Sequence, residues 1–314
     1  MNLAEELRRY GPDTDHPTPT LHEARAYCRQ LAESHYENFT VASRLFPSHL
    51  QQHLCNVYAY CRWADDLADE TPDPARSLEL LAWWEGELGA INKPPAPLSP
   101  CGRGAGGEGL SRQHPVFIAL AETIREFAIP QKPFSDLLVA FRRDQEQSRY
   151  ATFADLLTYC QCSANPVGQI VLALGRSTTD ENARLSDSIC TGLQLANFCQ
   201  DVARDWKRGR VYLPQDECHA VGWSEARFAV GKCDDAFREL LKQQVERAEK
   251  FLLAGQPLVE HVGRDLRLPV RLFVTGGLAI LAAIRLAGYD VLSRRPTVSR
   301  WTKLRLLASA WWQG

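Results

Sequence analysis

Apolar residues recur with the three-to-four spacing of helices along nearly the whole chain, and no alternating run of β-branched residues is long enough to suggest a sheet. The spacing predicts helices over 21–35, 49–70, 76–91, 115–128, 134–147, 152–175, 182–207, 223–254 and 269–292. Pro130, Pro133, Pro214, Pro257 and Pro269 fall at predicted breaks, and Gly209 follows the 182–207 helix where a glycine commonly ends one. An all-α bundle is expected. With 314 residues and 45% hydrophobic composition the chain can bury a sizeable core, and it reads as one domain over 1–314.

Two of these helices carry a narrow polar line on an otherwise apolar surface. At about 100° per residue, Tyr58, Arg62, Asp65 and Asp69 fall within roughly 60°, and Gln194, Asn197, Asp201 and Asp205 within roughly 80°. Val57, Tyr60, Trp63, Leu67, Leu195, Phe198, Val202 and their neighbours fill the other faces, so both helices are expected to be buried. Each Asp-x-x-x-Asp pair brings two carboxylates within about 5–6 Å, which destabilises a bare helix by a few tenths of a kcal/mol. Something positive is expected between them. A lone acidic pair is usually a solvated face; two pairs with amide, Tyr and Arg neighbours in register point to function. Carboxylate oxygens suit Mg2+, which takes one or two of them plus phosphate oxygens and waters. Zinc would prefer His and Cys, and the eight His lack ligand spacing. Asp66 lies roughly 60° or more off the line, which favours a supporting or exposed role; Glu70 is similarly placed.

Composition narrows the rest. A net charge of −2 gives no pull toward nucleic acid. Ten Cys spread through helical segments, with Cys160-x-Cys162 matching neither redox nor zinc-ribbon spacing, read as reduced thiols of a cytoplasmic protein. The start has no apolar signal region. The run Leu272–Ile284 is short of the roughly 20 residues a span requires, and reads as a core helix. Residues 91–114 crowd Pro and Gly and read as a flexible insertion; with no strand before it, the Gly104-Ala-Gly-Gly run is no nucleotide fingerprint. The C-terminal basic and aromatic segment 298–312 suits either peripheral contact with the inner membrane surface or docking on the bundle.

Four motifs in order, ENFTVASRLFP (37–47), YAYCRWADDLADE (58–70), YCQCSANPVGQIVL (159–172) and QLANFCQDVARDWKRGRVYLP (194–214), resemble the squalene/phytoene synthase family over about residues 25–295. Asn38-Phe39, Ser163 to Gly168 and Gly276 to Ile280 are similar to the bacterial hydroxysqualene synthases of hopanoid biosynthesis. The resemblance implies an isoprenoid-synthase-type bundle with a central cavity, and loss of diphosphate from presqualene diphosphate followed by capture of the cation by water. It implies two or three Mg2+ ions held by Asp65, Asp69, Asp201 and Asp205, and no NADPH. Squalene, presqualene diphosphate and phytoene synthases share the fold and metal site and remain alternatives; a non-catalytic scaffold is a further one.

The resemblance also assigns roles. Tyr58 helps manage the departing diphosphate or the cation, against the alternative of a core tyrosine. Arg62 offers its planar fork to diphosphate, or pairs within its own helix with Asp65 or Asp66. Asn38 and Phe39 face the substrate, the ring stabilising a cation. Tyr159, Gln194, Asn197, Arg210 and Tyr212 are expected at the substrate, Gln194 and Asn197 beside the hydrating water. Arg204 points off the polar line and its role is open. Walls of an apolar tunnel are expected on 152–175 and 269–292, where Gly168, Ala173, Gly276 and Gly277 leave room for a chain or simply permit helix packing. The partners implied are an isoprenoid diphosphate and the enzymes before and after it in the pathway.

Overall fold

The computed structural model describes residues 2–35, 45–91, 113–299 and 302. Asn38, Phe39, nearly all of the 91–114 insertion and most of the 298–312 segment therefore lie outside the described residues. Among the described residues the regular structure is helical, with one isolated bridge between Arg149 and Val211. The chain divides into two compact units, 1–131 and 132–314.

The first unit contains α1 (Leu3–Tyr10), α2 (Leu21–His35), α3 (Ser48–Asp69), α4 (Pro74–Ala90) and α5 (Pro115–Phe127). Local chemistry sets their starts. Thr20 and Glu23 exchange hydrogen bonds across the first turn of α2, at 2.8 Å and 3.3 Å, as a capping box. Asp73 and His114 cap α4 and α5, each with proline at the start of the helix, where a missing N–H costs nothing. α3 packs against α2, α4 and α5. Its buried Tyr60 and Trp63 meet Trp84 of α4, with the Trp63 and Trp84 rings stacked at 5.2 Å and 14°. The ring of His114, 1% exposed, stands edge-on to both indoles at 4.5 and 4.9 Å.

The second unit contains α6 (Lys132–Glu146), α7 (Phe153–Ser163), α8 (Asn165–Leu174), α9 (Asp180–Lys207), α10 (Gln215–Ala220), α11 (Glu225–Val230), α12 (Asp235–Gly255), α13 (Leu258–His261) and α14 (Arg264–Leu286). α9 is its axis: α12 packs along it most extensively, with α8, α14 and α7 around it. Phe237, Leu240, Leu241, Val245 and Leu252 of α12 are wholly buried.

Several helix boundaries differ from the expectation, each for a local reason. The 152–175 helix breaks at Ala164, where Pro166 at the start of α8 cannot donate to the preceding turn. The 223–254 helix is α11 and α12, separated where Gly231 turns left-handed at φ 66° and Asp234 begins a new cap. Pro269 does not break α14. It lies inside the helix, near its start, where a single backbone hydrogen bond is forgone and the ring is buried. The short helices α1, α10 and α13 have too few residues to show a period. Gly209 does end α9, with φ 76° and its N–H donated to Trp206 O at 2.9 Å.

α14 is longer than its apolar run suggests, 23 residues, and is the one helix among the described residues long and apolar enough to cross a membrane. Leu266, Val270, Val274, Gly277, Leu281 and Ile284 are buried, while much of the opposite face is half-exposed.

Candidate active site

In the first unit the acidic line lies on the last two turns of α3. Tyr58, Arg62 and Asp65 are half-buried and Asp69 is exposed. Arg62 does pair within its own helix. Its guanidinium forms an ion pair with Asp66 and reaches Asp65 Oδ2 at 3.4 Å and Glu70 Oε1 at 3.6 Å. Asp66, expected to support the line or to face solvent, is buried at 1% exposure. Burial pushes its carboxyl up to about 6 against the pull of Arg62. One buried carboxylate thus holds Arg62 against the turn that carries Asp65 and Asp69.

In the second unit Asp201 and Asp205 lie one turn apart near the end of α9, both half-buried. Gln194 is half-buried and Asn197 exposed on the same line. The two carboxylates have opposite electrostatics. Burial would raise Asp201, but Arg295, donating from Nε at 2.5 Å and Nη2 at 2.8 Å, outweighs it and holds the carboxyl below its usual range; Arg204 assists at 3.4 Å. Asp205 is pushed up to about 7 by burial and by the charge of Asp201, with Arg208, Arg210 and Arg204 opposing. Its backbone carbonyl accepts from the N–H groups of Arg208 at 3.0 Å and Arg210 at 2.8 Å, so the turn that ends α9 folds back over it.

That turn delivers Tyr212. Val211 N–H donates to Ser148 O, Gln215 N–H to Tyr150 O and Asp216 N–H to Ala151 O, at 2.9–3.1 Å, zipping the two loops together. Arg149 secures the junction by pairing with Glu225 and donating to Gly209 O at 2.5 Å. Tyr212 then stacks on Phe198 at 4.0 Å and 9°, with Tyr159 and Tyr150 each 5.7 Å away. The Tyr159 hydroxyl donates to Asp144 Oδ2 at 2.9 Å, and burial raises the phenols of Tyr150, Tyr159 and Tyr212 well above their ordinary value. Tyr212 and Arg210 are thus brought to the Asp205 end of α9, with Tyr159 beside Tyr212.

Sequence reasoning missed three residues. Asp144 lies within the predicted 134–147 helix with nothing in its spacing to single it out; the fold brings it to the Tyr159 hydroxyl. Arg295 is 94 positions from Asp201, and Gln200, 5% exposed, faces away from the polar line to meet it. No local spacing signals either contact.

A second feature of this unit is apolar. Val167, Val171, Ile189, Leu193, Leu258 and Phe273, with others, line a cavity of about 160 Å3 among α8, α9, α13 and α14. A Cβ on Gly168 would lie 2.3 Å from Ser186 Oγ and 2.6 Å from Cys190 Sγ, and one on Gly277 would lie 2.9 Å from Leu193 and Leu252. Both glycines let helices approach. Gly276 faces open space.

The donor sets fit Mg2+. Among the described residues no three His, Cys, Asp or Glu converge on one point. Each pair supplies two carboxylates, the number Mg2+ takes when phosphate and water complete its shell. A cation beside Asp205, whose carboxyl is pushed up by burial and then by the charge of Asp201, would stabilise its charged form. The nine described cysteines are free, and burial raises those on α3 and α9, Cys55, Cys61, Cys190 and Cys199, to about 11 or 12, which disfavours their thiolates.

Comparison with known proteins addresses the family and the fold. The squalene/phytoene synthase family model matches residues 32–302. Phytoene synthase of Arthrospira platensis is 30% identical over 304 residues, 93% of each chain, and 15-cis-phytoene synthase of Synechocystis sp. is 30% identical over 99% of this chain and 90% of that one. The solved squalene synthase HpnC of Alicyclobacillus acidocaldarius is 38% identical, with a TM-score of 0.76 over 86% of this chain and 95% of that one. A solved dehydrosqualene synthase, at 23% identity and TM-score 0.79 over 93% and 97%, shares the fold. The protein has the all-α isoprenoid-synthase-type fold and belongs to the squalene/phytoene synthase family.

Proposed function

We propose that this enzyme converts presqualene diphosphate and water to hydroxysqualene and diphosphate, in squalene and hopanoid biosynthesis on the cytoplasmic side of the membrane. The carbon–oxygen bond to diphosphate breaks with both electrons leaving on diphosphate. The cyclopropylcarbinyl cation rearranges, water adds to it through oxygen, and the proton of that water passes to solvent or to the departing diphosphate. No reductant is consumed, so NADPH is not required. The observation that favours a squalene-type product over phytoene is the 38% identity to a solved squalene synthase, against 30% for the phytoene synthases; capture of the cation by water rests on the resemblance of Asn38-Phe39, Ser163 to Gly168 and Gly276 to Ile280 to hydroxysqualene synthases.

Asp65, Asp69, Asp201 and Asp205 would hold Mg2+, whose charge, when it is bound, makes diphosphate a better leaving group. The chain's own residues do the rest. Arg62, fixed by Asp66, presents its remaining donors beside the first pair. Arg210 and Tyr212 serve the diphosphate end, where stacking on Phe198 and Tyr159 holds the Tyr212 ring in place. The phenol of Tyr159 stays protonated, donating to Asp144. The apolar cavity beside Gly168 takes part of a prenyl chain and excludes water from it. Tyr58, Gln194, Asn197, Asn38 and Phe39 are assigned to substrate and to the placement of the attacking water.

A second reading, condensation of two prenyl diphosphates, is favoured by the relatives named phytoene synthase. Incubation of purified protein with Mg2+ and presqualene diphosphate, with and without NADPH, separates the two. The C30 alcohol is expected in both conditions. Inertness toward presqualene diphosphate, with turnover of farnesyl or geranylgeranyl diphosphate to a coupled product, would establish the second reading instead. Asp65→Asn and Asp201→Asn are each expected to remove turnover by at least about a hundredfold while leaving the fold intact.

A further inference from the structure

Arg295 stands where a metal ligand should be free. Its Nε donates to Asp201 Oδ1 at 2.5 Å and its Nη2 to Asp201 Oδ2 at 2.8 Å, so the two carboxylate oxygens are engaged by one planar fork. The same Nη2 reaches Gln200 Oε1 at 2.8 Å, and the buried Gln200 returns its Nε2 to Pro296 O at 2.6 Å. Residues 295 and 296, beyond the end of α14, are thereby strapped onto α9 at its acidic turn. The strap has its own anchors: Val291 is 1% exposed, and Ser293 N–H donates to Asp290 Oδ1 at 3.0 Å. Arg295 is the more exposed partner of the pair. Its side chain is 39% exposed, against 20% for Asp201, so it can leave the carboxylate for water without crossing a packed core.

We propose that Arg295 is a built-in counter-cation that competes with divalent metal for Asp201, so that metal loading releases the strap's hold on α9. The proposal rests on the reading that Asp201 and Asp205 hold the metal. A metal ion approaches a carboxylate oxygen to about 2.0–2.1 Å along the lone pairs that a bidentate guanidinium occupies. Two cations on one fork repel, and one must give way. The Arg295 fork is on Asp201, while Arg208, Arg210 and Arg204 act on Asp205 through their charge. Metal would therefore enter at Asp205 and displace Arg295 as it reaches Asp201. Arg204 touches Asp201 through one nitrogen at 3.4 Å and is 66% exposed, which makes it the matched control for loss of charge alone.

The test uses the full chain and Mn2+ alone, following the free-ion electron paramagnetic resonance signal without substrate. Arg295→Gln is expected to tighten Mn2+ binding at the second pair by roughly three- to tenfold, and Arg204→Gln by less than about twofold. Equal changes in the two variants, or no tightening in Arg295→Gln, would overturn the proposal. The double variant Asp201→Asn/Asp205→Asn identifies which sites are being read. If it loses no Mn2+ sites, the metal assignment itself fails; if it loses them while Arg295→Gln binds as the parent does, only the competition fails. Hydrogen exchange of the unmodified chain gives an independent measure: Mg2+ should speed exchange across 290–299, and unchanged exchange there would refute release of the strap.

Discussion

At Asp66 a carboxylate is taken almost wholly out of water and left facing one guanidinium. Removing the guanidinium leaves that charge uncompensated, a loss that costs several kcal/mol in a fully buried pair. Since the Arg62 side chain keeps 20% exposure, Arg62→Met is expected to lower unfolding free energy by about 2–4 kcal/mol in urea titrations, and Asp66→Asn in the same chain to restore about half. A cost below about 1 kcal/mol would mean that Asp66 is protonated in the native state. Arg62 was legible as a neighbour of the acidic line because helical counting needs only the sequence. The depth of Asp66 was not: counting gives a direction around the axis, and burial depends on which neighbours arrive there. Asp144 and Arg295 were hidden for a related reason, since each meets its partner through the path of the chain and not through its place on a helix.

The elements followed the apolar spacing closely where they are long, and failed to follow it where one period spans two helices. Pro166 and Gly231 were visible in the sequence, but a continuous apolar pattern across them masks the break until the turn is seen. Small residues were equally ambiguous, because room for a ligand and room for a neighbouring helix look alike in sequence. The packing separates them. Gly168→Ala would drive a methyl into Ser186 and Cys190 and force α8 from α9, at a cost of about 1–3 kcal/mol. Gly276→Ala meets nothing and, by helix propensity, should gain roughly 0.5–1 kcal/mol. Thermal unfolding of the two variants side by side checks both, and a Gly168→Ala variant as stable as the parent would show that the α8–α9 contact is looser than described.

For the molecule as a whole, the buried titrating groups pull stability in opposite directions with pH. His114 and His53 are held neutral by burial, so the unfolded chain binds more protons than the folded one below about pH 6.5. Their contribution is complete above that value and falls as the pH drops through it. Asp205, pushed up to about 7 from 3.8, acts the other way: its contribution is complete below about 3.8 and is lost as pH rises through about 7, until a cation takes the proton's place. Comparing His114→Phe with the parent isolates the first effect. Between about pH 6.5 and about pH 5.5 the parent should lose roughly 1 kcal/mol more than the variant in urea. A constant gap would mean that His114 takes up a proton within the fold.

The stacked indoles of Trp63 and Trp84 give the first unit an optical signature of its own. Two nearly parallel chromophores 5.2 Å apart, with Trp83 5.4 Å from Trp84, share their excited states, so their circular dichroism depends on the cluster and not on any one ring. Trp206 and Trp223 of the second unit each rest on Phe228, which does not absorb where indoles do. The coupled signal should weaken and change shape in Trp84→Phe, which leaves Trp63 and Trp83 6.4 Å apart, and persist in Trp223→Phe. Followed during unfolding, it reports the closing of α3 on α4, and with it the seating of the Asp65–Asp69 turn, separately from events around Asp201.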